Sequence, residues 1–169
     1  SRDEILRRTR HLRPTWSQRS QFGYQNLMYL AAGQLVAKVS GMSWDEFAKK
    51  KIFEPLGMSS TSTSIKTFKP GDNVSTPHAK MGDKVEPIAW RDIDNIAPAG
   101  SINSNVVDMA QWLRLQLGKG TIDGKKVFSP ATSSEMHSPQ TIIRLEGAYP
   151  MLYPKAHFFS YGMGWFLSD

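Results

Sequence analysis

A chain of 169 residues is long enough for one domain with its own core, and a hydrophobic fraction of 40% is that of a globular protein, not a disordered one. The absence of cysteine excludes a disulfide framework, a thiolate zinc site and a cysteine nucleophile together. The net charge of +6 raises nucleic-acid binding as a question, but much of the excess is Arg2, Arg7, Arg8, Arg10, Arg13 and Arg19, without interleaved aromatics, so no nucleic-acid partner is expected.

In chain order, Ser1-Arg2-Asp3-Glu4 fits a capping box and predicts a short helix to about His11, stopped by Pro14. Its arginines read as a solvated or docking face. A Ser/Gln/Arg-rich loop over 15–23 follows. Leu27–Ser40 reads as a helix apolar nearly all round and therefore buried, with Gly41 as terminator. Ser43-Trp44-Asp45-Glu46 is a second capping box, opening a helix that ends at Pro55-Leu56-Gly57.

Beyond the Ser/Thr-rich run 59–67, the pieces between Val74 and Trp90 suggest a hairpin around Met81-Gly82-Asp83. Ala97–Ser101 reads as a tight loop, and Ser104 or Asn105 caps a helix over Val106–Leu117. Gly118–Gly120 ends that helix, a turn spans 121–125, and Ser129-Pro130 opens a last short helix. Phe158–Leu167 is strand-like. Trp112, Trp165 and the methionines are expected to fill core.

Apolar runs such as Leu27–Ala32 are too short to cross a bilayer, so no membrane span is expected in this chain. Because it opens on Ser1 and closes on a strand with no partner after it, the chain is expected to be a truncated single domain, 1–169. Exposed apolar patches and self-association through them would follow.

The chemistry concentrates at Phe22-Gly23-Tyr24-Gln25-Asn26. A tyrosine and an amide lie two residues apart where a loop becomes a helix. A phenolate can take a proton from a nucleophile, and an amide beside it can bind a substrate carbonyl. The pair makes chemical sense only beside a nucleophile. Taken alone, a tyrosine ahead of a helix is more often a packing residue with its hydroxyl paired.

Three ordered blocks carry a resemblance: Phe22–Asn26 with the following Leu27–Gly57; Ala97-Pro98-Ala99-Gly100-Ser101-Ile102-Asn103-Ser104 with Asp108-Met109-Ala110; and Tyr161-Gly162-Met163-Gly164-Trp165. Together they resemble the serine hydrolases of the class C β-lactamase and penicillin-binding-protein type, related esterases included. The resemblance implies an α/β (mixed α+β) fold, of which this chain is the central, largely helical part with a few short antiparallel strands. It also implies an acyl-enzyme hydrolase acting on an ester, amide or β-lactam, with no cofactor and a periplasmic or extracytoplasmic setting.

Such enzymes carry a Ser-x-x-Lys nucleophile motif, a Tyr-x-Asn and a Lys-Thr-Gly or His-x-Gly triplet. Tyr24 and Asn26 match the second. The resemblance makes Tyr24 the general base and later acid, and Asn26 a donor to the substrate carbonyl region. Ser101 is a further candidate for lining the site. The first and third motifs are absent: the nearest approach to Ser-x-x-Lys is Thr63-Ser64-Ile65-Lys66, and Lys66-Thr67 is followed by Phe68. Family order places the nucleophile upstream and the triplet downstream, so the chain alone is expected to be inactive. A free phenol titrates near 10, so a tyrosine base needs flanking ammonium groups, one of them from the absent motif.

His11, His78, His137 and His157 have no i, i+4 pairing, so no metal site is expected. Asp92 and Asp94 could suggest a carboxylate pair, and Asp108 is explained by its place in a first helical turn. Two other readings stand: a non-catalytic binding module of the same fold, and a basic helical module for an acidic partner.

Overall fold

The computed structural model describes all 169 residues. They form two compact units, one of residues 1–10 and 26–109, the other of residues 11–25 and 110–169. The fold is a mixture of helices and short antiparallel strands, in agreement with the class expected from the sequence.

The first unit is organised around helix α2 (Asn26–Ser40), which packs against α1 (Arg2–Thr9), α3 (Trp44–Ala48) and a 3-10 segment, Asp94–Ala99. Leu30 is its fully buried anchor, joined in the core by Ala48, Phe53, Leu56, Met58 and Ala97. Gly33 makes the approach to the 3-10 segment close: a Cβ there would collide with the Pro98 ring. Ser43 caps α3 in a complete capping box with Glu46, and a π turn, Lys49–Phe53, extends it. At α1 only half of the expected box forms. Ser1 Oγ accepts from the Glu4 N–H at 3.3 Å, but the Glu4 carboxylate turns to Arg7 and Arg8. Arg2 forks onto Asp45 at 2.6 and 3.2 Å.

Strands β1 (His78–Met81) and β2 (Lys84–Pro87) form the expected hairpin, with Gly82 in the left-handed region at its turn. Helix α4 (Val106–Leu117) keeps its expected bounds. Its cap is Asn105, whose Oδ1 accepts from the Asp108 N–H at 2.9 Å.

In the second unit, β3 (Thr121–Ile122) pairs with β4 (Lys125–Lys126), and Ser129 caps α5 (Pro130–Met136). A three-stranded antiparallel sheet runs in the order β5 (Thr141–Ile142), β6 (Phe159–Tyr161), β7 (Phe166–Ser168). Helix α6 (Tyr149–Leu152) lies between β5 and β6 in sequence. Leu115, Ile122, Ile143 and Phe159 are buried in this unit.

Several expectations are corrected. Helix α2 is not buried all round: Leu35 and Val39 are 63% and 79% exposed, and only Leu30 and Gly33 are buried. Its sequence is apolar nearly all round, and α1, α3 and the 3-10 segment cover only part of that surface. The segment read as a tight loop at Ala97–Ser101 begins instead as the end of a 3-10 helix. Phe158–Leu167 is a hairpin limb pair, not one strand, because Gly164 adopts φ +84° and reverses the chain. Of the methionines only Met58 is buried, and Trp112 and Trp165 are half-buried.

Candidate functional site

Tyr24 sits in the loop that precedes α2, and it is 57% exposed. Its ring stacks near-parallel on Phe166, with centroids 6.5 Å apart and planes at 23°. Phe22, two residues earlier, packs on Tyr161 at 5.3 Å and on Phe166 at 6.2 Å. Both rings thus meet Phe166, and Gly23 between them leaves room for Trp16: a Cβ there would lie 3.1 Å from its ring. Phe166 also meets Tyr161 at 4.8 Å and Phe159 at 5.7 Å. The first and third sequence blocks are therefore joined in space through ring contacts within one unit.

Asn26 is the first residue of α2 and is exposed. It belongs to the first unit, whereas Tyr24 belongs to the second. Ser101 also belongs to the first unit. It is 4% exposed, and its hydroxyl has no hydrogen-bond partner. Its carbonyl accepts from Asn103 Nδ2 at 2.8 Å, which fixes the loop after the 3-10 segment.

The second block holds a residue whose role the sequence understated. Asp108 is 5% exposed. Its Oδ2 accepts from the Ser60 N–H at 2.9 Å and the Thr61 hydroxyl at 2.7 Å. Thr61 also bonds Ser104, and Ser62 pairs with Asn103 backbone to backbone at 2.9 and 2.8 Å. A first-turn aspartate suits the helix dipole, but here the carboxylate ties the Ser/Thr-rich run to the block. The only sequence signal was that run itself, rich in donors with no assigned acceptor.

Lys66, the nearest approach to a nucleophile-activating lysine, is engaged elsewhere. Its Nζ lies 2.8 Å from Asp92 and 2.9 Å from Asp94, and their hydrogen bonds raise its pKa above the usual lysine range. Asp92 is held low by the same bond. Ser64 donates to Asp94 at 2.9 Å. This resolves the carboxylate pair seen in the sequence as a salt-bridged cluster around one ammonium. A lysine held protonated cannot serve as a base. No group of three or more His, Cys, Asp or Glu side chains is arranged to hold a metal ion.

The family model described as Beta-lactamase matches residues 1–169. The chain belongs to the beta-lactamase family. Unguisins hydrolase ungD' of Aspergillus campestris (strain IBT 28561) is 26% identical over 165 residues, which are 96% of this chain and 29% of that protein. Among solved structures, the octameric penicillin-binding protein homologue from Pyrococcus abyssi matches with a TM-score of 0.80 at 22% identity, covering 98% of this chain and 35% of the other. The D-amino acid amidase from Ochrobactrum anthropi SV3, complexed with L-phenylalanine, matches with a TM-score of 0.75 at 18% identity, covering 100% and 45%. At such identities the likeness is one of fold. The chain spans less than half the length of each of these relatives.

Proposed function

We propose that this chain is the Tyr-x-Asn-bearing segment, a single truncated domain, of a serine hydrolase that cleaves an ester, amide or β-lactam through an acyl-enzyme. The observation that carries the reading is the full-length family match together with Tyr24-Gln25-Asn26 at a loop–helix junction. In the whole enzyme the serine, supplied by a Ser-x-x-Lys outside residues 1–169, attacks the carbonyl while Tyr24 Oη takes its proton. The same phenol then protonates the leaving group, and a water repeats the sequence to release the acyl group. Asn26 donates to the carbonyl region of the substrate and holds it in line. Ser101 is proposed as a further residue lining the site.

Lys66 supports the location of the nucleophile outside the chain, since the ammonium is committed to Asp92 and Asp94. The isolated 169 residues are accordingly proposed to be inactive. Their relatives' names, a hydrolase and an amidase among them, favour the cleavage of amide-like bonds.

Reading the coding sequence on both sides of the segment tests this. A Ser-x-x-Lys upstream and a Lys-Thr-Gly or His-x-Gly downstream are expected. Flanks that lack both would leave the alternative, a binding module of this fold that kept the Tyr24 loop. That alternative draws on one observation, the absence of a serine with a lysine three positions later in these 169 residues.

A further inference from the structure

The loop that carries the proposed reactive hydroxyl is held from two directions. Phe22 and Tyr24 both meet the Phe166 ring, with centroids 6.2 and 6.5 Å away. Gly23 between them offers only bare backbone. The position a Cβ would take there lies 3.1 Å from Cζ3 and 3.8 Å from Cε3 of Trp16, so the six-membered ring of the indole rests against that backbone. A turn brings the two residues together. The Ser20 N–H and the Ser20 hydroxyl both donate to the Ser17 carbonyl, at 3.2 and 2.8 Å. Arg19 takes a left-handed φ of +62° there, an uncommon conformation for a residue with a side chain. A loop this short costs little entropy to close.

We propose that Trp16 is a positioning residue for Tyr24: its indole, packed on the Gly23 backbone, sets where the phenol hydroxyl stands relative to the nucleophile. The inference rests on the assignment of Tyr24 as the acid–base group. Proton transfer needs the phenol oxygen within about 2.6–3.2 Å of the serine hydroxyl. Ring contacts alone are met over centroid distances of about 4.5–7 Å, so Phe166 by itself leaves the loop room to slide. A second contact, on the backbone of the residue next to Tyr24, removes that freedom. Any side chain at position 23 would displace either the indole or the loop. Trp16 thus acts through Gly23 and not on the substrate.

The test uses the product of the whole coding sequence, labelled with 3-fluorotyrosine, and assigns the Tyr24 fluorine line by its loss in Tyr24→Phe. Each variant is read twice, by the position of that line and by the rate at which a fluorophosphonate labels the serine. Trp16→Ala is expected to move the line and slow labelling about tenfold, within the hundredfold that a 1 Å misplacement can cost. Trp16→Phe, which keeps a ring for Gly23, should recover most of the rate. Gly23→Ala should slow labelling severalfold in the parent and have no further effect on Trp16→Ala, where the added methyl meets no indole. That non-additivity separates a shared contact from two independent losses of stability. If Trp16→Ala does not fold, the same cycle is read with Trp16→Leu. An unchanged line and rate in the Trp16 variant, a line that moves with no change in rate, or equal effects of Gly23→Ala in both backgrounds would overturn the proposal. Failure of the hydrolase reading shows separately, as a parent in which no serine is labelled. The fluorine line alone then decides whether Trp16 places Tyr24, and an unmoved line rejects it.

Discussion

Between Ser60 and Asp108 the first unit is tied by short directional bonds, whereas the Phe22–Tyr24 loop of the second rests on ring faces. Asp108 has named donors at 2.7 and 2.9 Å, and each has one geometry in which it works. The rings around Phe166 meet at 4.8 to 6.5 Å with interplanar angles from 17° to 71°, an arrangement that tolerates small shifts. Polar bonds of the first kind hold a loop to one position. Aromatic contacts of the second kind place a side chain while leaving its outer face open. The acid–base role proposed for Tyr24 needs such an open face.

Asp108→Ala strands the Ser60 N–H and takes one of two partners from the Thr61 hydroxyl, and should cost about 1–3 kcal/mol in urea unfolding. Equal stability of that variant would mean the ties are incidental. Phe166→Ala removes a half-exposed hub and should cost about 1–2 kcal/mol, with the larger consequence a change in Tyr24 ring shifts. If stability falls and those shifts do not move, Phe166 does not place Tyr24.

Acid should act on the first unit through Asp45. Burial raises its pKa, but the bonds from Arg2 and Thr63 outweigh burial, so the folded pKa lies below the ordinary value. The stabilisation is present above the unfolded carboxylate range, near 4, and is lost as pH falls through the lower folded value. Thermal melts between pH 6 and 3 should therefore fall less steeply for Asp45→Asn than for the parent chain. An identical slope would remove the Arg2 pair from the account. The smallest effect is expected from Lys66→Met. The ammonium is exposed, and its cluster with Asp92 and Asp94 is screened by water, so the melting temperature should hardly move.

What the sequence made legible, and what it left hidden, divides along the same physical line. Local signals worked: the Ser43 box, the Asn105 and Ser129 caps and the Gly82 hairpin all depend on neighbours within a few residues. Non-local ones did not. Helix α2 carries apolar residues on every side, and composition alone cannot say which of them a partner covers, so Leu35 and Val39 appeared buried. Asp108 reads as a dipole residue because its acceptor role depends on Ser60, far away in sequence. Strand β5 and helix α6 are too short to give a periodic signal. For the candidate site, the Tyr24/Asn26 motif was readable from spacing, while the Phe166 platform beneath it required tertiary structure.

Tyr24 is proposed as the acid–base group of a serine hydrolase whose nucleophile lies outside these residues. The most direct measurement expresses the product of the whole coding sequence and treats it with a fluorophosphonate probe. Labelling is followed by mass spectrometry in the parent and in Tyr24→Phe. The account predicts a single labelled serine outside residues 1–169, with the rate about 10²- to 10⁴-fold lower in the variant. No labelled serine, or labelling at the parent rate in Tyr24→Phe, would contradict it.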